Sequence, residues 1–465
     1  MSRFYLAIYR WAWNVLLPLV QLLARLDGPP GSPAGRGFIP RNWNVTERLG
    51  YGWPRAAAET SGQDDGSGIP GSTCGRKMPG KKLWLHCASL GEAKGLWAFA
   101  RCLPESLAMV LTATTAEGTA FLQARCAEQG PESRFLAVLA PFDHPDIVRR
   151  FLASHDAVGL CLYEVELWPH FIAVCRERGL PVVLVSGRLS EKAVRRYRRF
   201  GGAGARLLDG LAWIQAQSPM DAQRFGSLTK TEIVTGFDFK AAHFLERGAD
   251  ARAEPAGISR FAFLSLHYRE LVLLMPGLPA LMNRSGVIIF PRKLREVERF
   301  HRLLEPQGFA LHSRDPRARH LIVDAMGLIG ALLPGCHSAF VGGSLIPIGC
   351  HNLWEPLLAE TGIHFGPYFH AQQFLAERVL AAGIGRVLKD PAGIGFLPAS
   401  GPEIPKACRH LVEELRQALD AALVEGGRRI FATFYSVQTL GGDAGANARR
   451  DGGKSLLAAG KDKGQ

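Results

Sequence analysis

The sequence lacks the patterns that hold a structural metal or a disulfide framework. Its nine cysteines are an odd number, none of them forms C-x-x-C, and its fourteen histidines include no H-E-x-x-H. Cys87 and Cys161 lie in apolar runs, where a cysteine is usually a small buried hydrophobe. We therefore predict a reduced, cytosol-facing protein without a metal site.

Charge is also scarce: 21% of the residues are charged, whereas 47% are hydrophobic. This balance excludes a largely disordered chain, and 465 residues allow two or three domains with a large core. The net charge of +13 favours an anionic partner, which could be nucleic acid, an anionic membrane or a phosphorylated substrate. We find no basic helix interleaved with aromatic residues, so we expect no nucleic-acid partner.

Residues 4–24 are strongly apolar, and Arg10 is their one charged residue. A helix of this length measures about 30 Å, the thickness of the hydrocarbon core of a bilayer. No small-residue cleavage site is present, which argues against a removed signal peptide. We expect residues 1–26 to form a membrane-anchor helix, and the pattern leaves open whether it spans the bilayer or lies in the interface.

Compositional changes divide the rest of the chain. Residues 27–81 are rich in Pro, Gly and Ser, which predicts a linker and a flexible insertion. Short apolar runs then alternate with helical patterns in two series, over residues 82–245 and 255–425. Such alternation predicts two α/β domains, each with a doubly wound parallel sheet. Residues 440–465 predict a disordered tail.

Polar side chains follow several strands of the first series, where an open α/β sheet gathers its ligands. Glu92 begins a helix after Ser89, and it could accept a proton from a hydroxyl or merely cap the helix. Glu164 and Glu166 both follow a later strand. Two residues apart in extended backbone, they point to opposite faces, so we expect one to face a cleft and the other to pair with a base.

In the second series, a Gly-Gly-Ser turn follows a strand, and Asn352 then opens a helix-like run that carries Glu355. Glycines let the backbone approach a ligand, a helix N-terminus favours an anion, and a carboxylate can accept ribose hydroxyls. The pattern is equally consistent with a tight strand-to-helix connection in which Glu355 is an ordinary first-turn acid.

Two basic residues and one short turn are further candidates. Arg292 follows a strand and could bind a phosphate or carboxylate through a two-point fork, or it could be a solvated surface residue. Lys240, close to the domain junction, has the same two interpretations. The turn at Met326 and Gly327 closes another strand and could bring backbone close to a base or ribose.

Together and in order, these segments resemble the 3-deoxy-D-manno-octulosonic acid (Kdo) transferase family. The matching stretches, between Asn44 and Lys389, include LHCASLGEAKG, TATTAEGTA, APFDHPDIVRRFL, EVELWPHFIAVCRERGLPVVLVSGRLSEK, VTGFDFK, FPRK, DAMG and FVGGSLIPIGCHNLWEP. The resemblance implies a GT-B fold, in which two Rossmann-like domains face a cleft. It further implies inverting transfer of Kdo from CMP-Kdo to a hydroxyl of a lipid A precursor (lipid IVA) in lipopolysaccharide biosynthesis.

The resemblance also assigns residues to roles. Glu92 matches the general base, Glu166 matches the transition-state-stabilising Glu of ELWP, and Lys240 stands one position beyond the lysine of the usual G-N-L-K. The expected CMP-binding residues, with the Gly-Gly-Ser turn added, are Pro291, Arg292, Met326, Gly327, Gly342, Gly343, Ser344, Asn352, Leu353, Trp354 and Glu355.

The resemblance implies no cofactor beyond the CMP-activated donor, and a place at the inner membrane with the catalytic domains facing the cytoplasm. Its expected partners are CMP-Kdo, the lipid A precursor and the membrane surface. Two alternatives stay open at this point. One is a GT-B glycosyltransferase with another activated sugar or acceptor, and the other is a non-catalytic membrane-associated homologue.

Overall fold

The structure, a computed structural model, describes residues 12–14, 16–18, 48–49, 80–199, 203–247, 260–397 and 401–439. These residues belong to two compact units. The first comprises Met1–His243 with Ala418–Gln465, and the second comprises Phe244–Gln417. We expected the second domain to end at residue 425, whereas the second unit ends eight residues earlier. The tail expected at residues 440–465 lies outside the described residues, as does most of the expected insertion.

The anchor helix expected at residues 1–26 also lies mostly outside the described residues. The six residues described there are helical, the ring of Trp13 lies 5.7 Å from that of Phe142, and Leu17 is buried in the core of the first unit. Within the part of the chain that the structure describes, no helix is both long and apolar enough to cross a membrane. The anchor therefore stays a prediction.

The first unit is built on seven parallel strands, and the apolar residues of the first six are buried almost throughout. In chain order these strands are β1 (Lys82–Cys87), β2 (Ala108–Ala113), β3 (Phe135–Leu139), β4 (Ala157–Tyr163), β5 (Val182–Gly187), β6 (Trp213–Ala216) and β7 (Glu232–Thr235). Their order across the sheet is β3-β2-β1-β4-β5-β6-β7. Burial on both faces explains why most of these strands are apolar runs in the sequence, whereas the edge strand β7 is partly exposed.

Eight helices connect or follow these strands. They are α1 (Leu90–Cys102), α2 (Ala116–Glu128), α3 (Pro145–Ser154), α4 (Pro169–Glu177), α5 (Glu191–Arg199), α6 (Ala203–Leu208), α7 (Pro219–Gly226) and α8 (Lys240–Arg247). The sequence showed no basic helix interleaved with aromatic residues, but α5 is strongly basic and carries one aromatic residue. This helix has five basic residues around Tyr197, and Val194 is its one buried residue. The short length of α5 hid it among the scattered basic residues of the sequence.

The second unit repeats the architecture. Its strands are β8 (Arg260–Leu266), β9 (Gly286–Pro291), β10 (Phe309–Leu311), β11 (His320–Ile322), β12 (Cys336–Val341), β13 (Gly362–Phe365) and β14 (Gly385–Val387), ordered β10-β11-β9-β8-β12-β13-β14. Its helices are α9 (Tyr268–Leu274), α10 (Leu278–Arg284), α11 (Val297–Leu304), α12 (Ile329–Leu332), α13 (Trp354–Leu358), α14 (Gln373–Ala381) and the start of α15 (Glu403–Thr439). The predicted pair of doubly wound α/β domains is confirmed.

Each sheet has one point where the chain reverses its direction of winding. In the first unit the reversal falls between β1 and β4, and in the second unit it falls between β8 and β12. In open α/β sheets the crevice outside the carboxyl ends of such neighbouring strands is the usual ligand site. The topology therefore indicates two places to look for functional side chains.

The last helix, α15, returns the chain to the first unit. Trp213 donates a hydrogen bond from Nε1 to the hydroxyl of Thr433 (2.9 Å), and Gln215 donates to the carbonyl of Ala422 (3.0 Å). A side chain at Gly159 would overlap the ring of Phe434, so the glycine is needed for this helix to pack on the sheet. These contacts explain why the first unit includes residues from both ends of the chain.

Candidate active site

Glu92 lies in the first turn of α1, directly after β1 at the reversal of the first sheet. Its Oε2 accepts hydrogen bonds from the backbone amides of Ala88 (2.6 Å) and Ser89 (3.2 Å), and the Ser89 hydroxyl accepts one from the Glu92 amide (3.4 Å). This is a complete capping box. Among the described residues nothing hydrogen-bonds the second carboxylate oxygen, and the side chain is half-exposed. Glu92 therefore caps the helix through one oxygen, and its other oxygen could accept a hydrogen bond from a ligand.

Glu164 follows β4, across the reversal from Glu92. It is buried, and its carboxylate forms an ion pair with the ammonium of Lys240. Its φ of 59° is left-handed, a conformation that costs a non-glycine residue energy and that clusters at functional sites. Burial raises the pKa of Glu164 to about 7, although Lys240 acts in the opposite direction. Of the two glutamates expected here, Glu164 is the one that pairs with a base.

Lys240 begins α8, and its backbone amide donates to Asp238 (2.9 Å). Burial opposes the charge of its ammonium, but the carboxylates of Glu164, Asp238 and Glu92 together raise the pKa of Lys240 above its ordinary value. Its neighbour Phe239 is fully buried and stacks on Phe99 at 4.9 Å. The one-residue displacement of the lysine therefore still brings its ammonium to the site.

Glu166 lies in a different environment. Its Oε2 accepts a hydrogen bond from Trp168 Nε1 (2.7 Å) and lies 3.8 Å from His86 Nε2. Burial opposes its ionisation, but these two partners hold the pKa of Glu166 below its ordinary range. The two glutamates thus have separate partners, and the one that pairs with the lysine is Glu164.

These four side chains share a neighbour, the buried thiol of Cys87 at the end of β1. Burial is the main reason that the pKa of Cys87 lies well above its ordinary value, and three carboxylates raise it further while the lysine lowers it. Their charges therefore meet at the carboxyl end of β1. We call Glu92, Glu164, Glu166 and Lys240 the carboxylate–lysine cluster.

Gly95 of α1 provides a test of how tightly this cluster is packed. A methyl group at this position would overlap the hydroxyl of Tyr163 and lie 3.0 Å from the backbone nitrogen of Lys240. Gly95→Ala is expected to lower the free energy of unfolding by about 1–3 kcal/mol, because overpacking forces its neighbours to move. It should also lower turnover, since Glu92 and Lys240 both adjoin the displaced segments. Urea unfolding and a steady-state assay measure the two effects.

Gly91→Ala in the same helix is the matched control. Gly91 is exposed, and the nearest atom to a methyl group there is the Ser89 hydroxyl at 4.0 Å. Replacing an exposed helical glycine by alanine stabilises a protein by up to about 1 kcal/mol. Equal effects of the two substitutions would show that the space beside Tyr163 has no special role.

In the second unit, the Gly-Gly-Ser loop follows β12. The carboxylate of Glu270 accepts hydrogen bonds from the amides of Gly343 (2.8 Å), Ser344 (2.9 Å) and Leu345 (2.9 Å). Glu270 is fully buried. The structure therefore corrects the expectation that the amides of Gly343 and Ser344 face a donor, because the protein's own carboxylate already occupies them.

The absence of a side chain at Gly342 has a related cause. A methyl group there would lie 2.5 Å from the carbonyl oxygen of Ser265 and 3.0 Å from the Glu270 carboxylate. The Ser344 hydroxyl is also taken, since it accepts from the amide of Gly366 (2.8 Å) and donates to the carbonyl of Val341. These small residues let protein segments approach each other, which is a structural role.

The other expected donor-binding residues lie at the carboxyl ends of neighbouring strands. Pro291 ends β9, and the exposed Arg292 follows it, with its amide donating to the carbonyl of Leu266 (2.9 Å). Met326 is 75% exposed, and a side chain at Gly327, whose φ is 82°, would meet no atom within 4 Å. This turn leaves open space beside the backbone, as close approach of a ligand requires.

Asn352 and Leu353 precede the five-residue helix α13, and Trp354 and Glu355 begin it. The Asn352 side chain accepts from the Trp354 amide (3.0 Å), and the Trp354 ring stacks on Phe244 at 6.0 Å. Leu353 and Trp354 are buried and hold the segment in place. Glu355 is half-buried, and burial raises its pKa above the ordinary value. It is therefore the polar side chain of this segment best suited to hydroxyl groups.

Among the residues that the structure describes, no group of three or more His, Cys, Asp or Glu side chains could hold a metal ion. The expectation of a metal-free and cofactor-free site stays a prediction.

Comparison with known proteins finds similarity to one family. Residues 44–241 match the family model described as 3-deoxy-D-manno-octulosonic-acid transferase (kdotransferase). The 3-deoxy-D-manno-octulosonic acid transferase of Bordetella pertussis is 28% identical over 319 residues, which cover 65% of this chain and 74% of the relative. The enzyme of the same name from Chlamydia muridarum is 26% identical over 328 residues, covering 66% and 75%.

Among solved structures, the C-terminal CMP-Kdo binding domain of WaaA from Acinetobacter baumannii is 18% identical, with a TM-score of 0.29. The match covers 40% of this chain and 98% of that domain.

Proposed function

We propose, on the premise that this chain is a glycosyltransferase of the Kdo transferase family, that it transfers Kdo from CMP-Kdo to a hydroxyl of lipid IVA. The family places the chain in lipopolysaccharide synthesis, and the donor, the acceptor and the mechanism are our proposals. One observation carries the mechanism: a half-exposed carboxylate, Glu92, lies beside the ion pair of the buried Glu164 with Lys240 at the reversal of the first sheet.

Glu92 acts as the general base in this proposal. Two backbone amides fix one of its oxygens, so the other is held in place to accept the proton of an acceptor hydroxyl. The hydroxyl oxygen forms the new bond to the anomeric carbon of Kdo. The bond from that carbon to the phosphate oxygen breaks, and its electron pair leaves with CMP. Attack opposite the leaving group inverts the anomeric configuration.

Lys240 supplies fixed positive charge in the same region. The carboxylates around it keep the ammonium protonated, and the ion pair with Glu164 fixes its position. A preorganised charge stabilises a transition state more than a mobile one, because it needs no reorganisation during the reaction. Glu166, fixed by Trp168 and adjacent to His86, is proposed as a further stabilising carboxylate.

The second unit is proposed to bind CMP. Arg292 offers an exposed guanidinium for an anionic group, the open turn at Gly327 offers backbone, and Glu355 offers a carboxyl group for ribose hydroxyls. The amides of the Gly-Gly-Ser loop are left out of this proposal because Glu270 occupies them. No cofactor beyond the activated sugar is proposed.

The acceptor is an anionic lipid, and we propose that the enzyme works at the cytoplasmic face of the inner membrane. The net charge of +13 and the five basic residues of α5 support attraction to an anionic surface. The apolar residues 4–24 would add hydrophobic attachment.

Release of CMP by the purified full-length chain tests the function. With lipid IVA as acceptor we expect release of CMP from CMP-Kdo, no release of CMP from CMP-sialic acid and no release of UDP from UDP-glucose. Release from another donor instead would favour a different glycosyltransferase of the same fold. Binding of CMP without release from any donor would favour a non-catalytic homologue and contradict the proposal.

A further inference from the structure

Two histidines from different loops of the second unit share a hydrogen bond at the reversal of its sheet. His267 follows β8 and His351 lies in the loop after β12, and their Nε2 atoms are 2.8 Å apart with the rings stacked at 5.1 Å. Both imidazoles are half-buried. At this distance one nitrogen carries the proton that the other accepts. Because the pair follows β8 and β12, the two strands at the reversal, it lies where an open α/β sheet binds its ligand.

The surrounding loop is shaped to hold this pair. Gly343 has a φ of 73°, and a side chain there would lie 2.9 Å from the His351 ring. The imidazole can therefore occupy its position only because residue 343 has no side chain. Glu270 links the two sides, because one of its oxygens accepts from the amides of both His267 (3.2 Å) and Gly343 (2.8 Å). The pair is thus fixed before any ligand arrives.

Glu270 also decides which groups of the loop can bind an anion. Three consecutive amides of the loop already donate to its buried carboxylate. A second anion at the same amides would find no free N–H and would be repelled by the negative charge of Glu270. An anionic ligand must therefore be bound by other groups near the loop.

The histidine pair and Arg292 are the nearby groups that suit an anion. The charged residues acting on the pair are Arg292, Lys293, Glu270 and Glu296. Burial, followed by the charges of Arg292 and His267, lowers the pKa of His351 to about 4. Burial also lowers the pKa of His267, although Glu270 acts in the opposite direction. These shifts disfavour protonation of the free pair, and an arriving anion would favour it.

On the basis of the proposed function, we infer that the His267–His351 pair and Arg292 bind the anionic group of the donor, and that one proton from solvent joins the pair as the anion binds. The amides of the Gly-Gly-Ser loop take no part. The anionic group is either the phosphate of CMP or the carboxylate of Kdo, since an imidazolium beside a guanidinium suits both.

Calorimetric titration of the full chain near neutral pH tests this inference. The probes are CMP, free Kdo and cytidine, each titrated in two buffers with different ionisation enthalpies to count protons. We expect uptake of up to one proton with CMP or with Kdo, and none with cytidine. His351→Gln should abolish the uptake and lower the affinity for that anion about tenfold, because a charge-assisted bond is lost.

His410→Gln is the matched control, since His410 is exposed on α15 of the same unit and pairs with Glu414 at 3.2 Å. His410→Gln should keep the wild-type affinity for the anion and the wild-type proton uptake. His267→Gln should have the same effect as His351→Gln, provided that both variants fold. Proton uptake with CMP but not with Kdo would show that the pair binds the phosphate. Proton uptake with Kdo but not with CMP would show that it binds the carboxylate. If CMP binds without proton uptake, and His351→Gln binds CMP with the same affinity as the wild type, the inference is overturned and the proposed function still stands. No binding of CMP or Kdo by the wild type overturns both.

Discussion

Glu92→Gln is expected to lower turnover of CMP-Kdo by about 10²- to 10⁴-fold, the usual contribution of a general base. The substitution keeps the size of the side chain, and the amide oxygen of glutamine can still accept from the amides of Ala88 and Ser89. It removes the group that takes the proton. CMP affinity should be unchanged, because the residues that we propose to bind CMP lie in the second unit. Single-turnover kinetics and CMP titration separate the two quantities.

Ser89→Ala is the control for helix capping. It removes the hydroxyl that accepts from the Glu92 amide, which typically costs about 1 kcal/mol of stability, but leaves the carboxylate in place. If Glu92 only caps the helix, Ser89→Ala and Glu92→Gln should affect activity equally and slightly. Full turnover by Glu92→Gln would contradict its role as the base.

The alternation of strands and helices, and the position of Glu92 after the first strand, were predictable because both depend on local patterns. The choice between Glu164 and Glu166 was not. Their spacing predicts opposite faces, but the left-handed backbone at Glu164 redirects the chain at the end of β4. A pattern of apolar residues carries no information about such a backbone angle.

The Gly-Gly-Ser loop shows a second limit. Its composition indicated a ligand-binding turn, and the structure fills it with a carboxylate 73 residues earlier in the chain. Glycines that admit a phosphate and glycines that admit a buried glutamate have the same sequence pattern, because both allow close approach of an acceptor to backbone amides. The partner follows from the fold, which brings α9 next to the loop.

Lys240→Met is expected to give the largest loss of stability, about 3 kcal/mol at pH 8, because it leaves the buried carboxylate of Glu164 without its partner. The pKa of Glu164 is already raised to about 7, and losing the lysine raises it further. The folded variant then binds a proton that the unfolded chain has released, so its stability falls as pH rises from the ordinary carboxyl range through 7. Urea unfolding at about pH 5 and pH 8 should show the smaller deficit at the lower pH.

The double variant Lys240→Met/Glu164→Gln decides whether the ion pair causes this loss. Without the lysine, a neutral glutamine avoids the buried charge, so much of the stability should return and the dependence on pH should disappear. Turnover should not return, because the fixed ammonium is still missing. If Lys240→Met instead has the same deficit at both pH values, and the second substitution leaves it unchanged, the lysine contributes packing alone. The pairing of Glu164 with Lys240 would then have no part in stability, and its place in the reaction would lose its support.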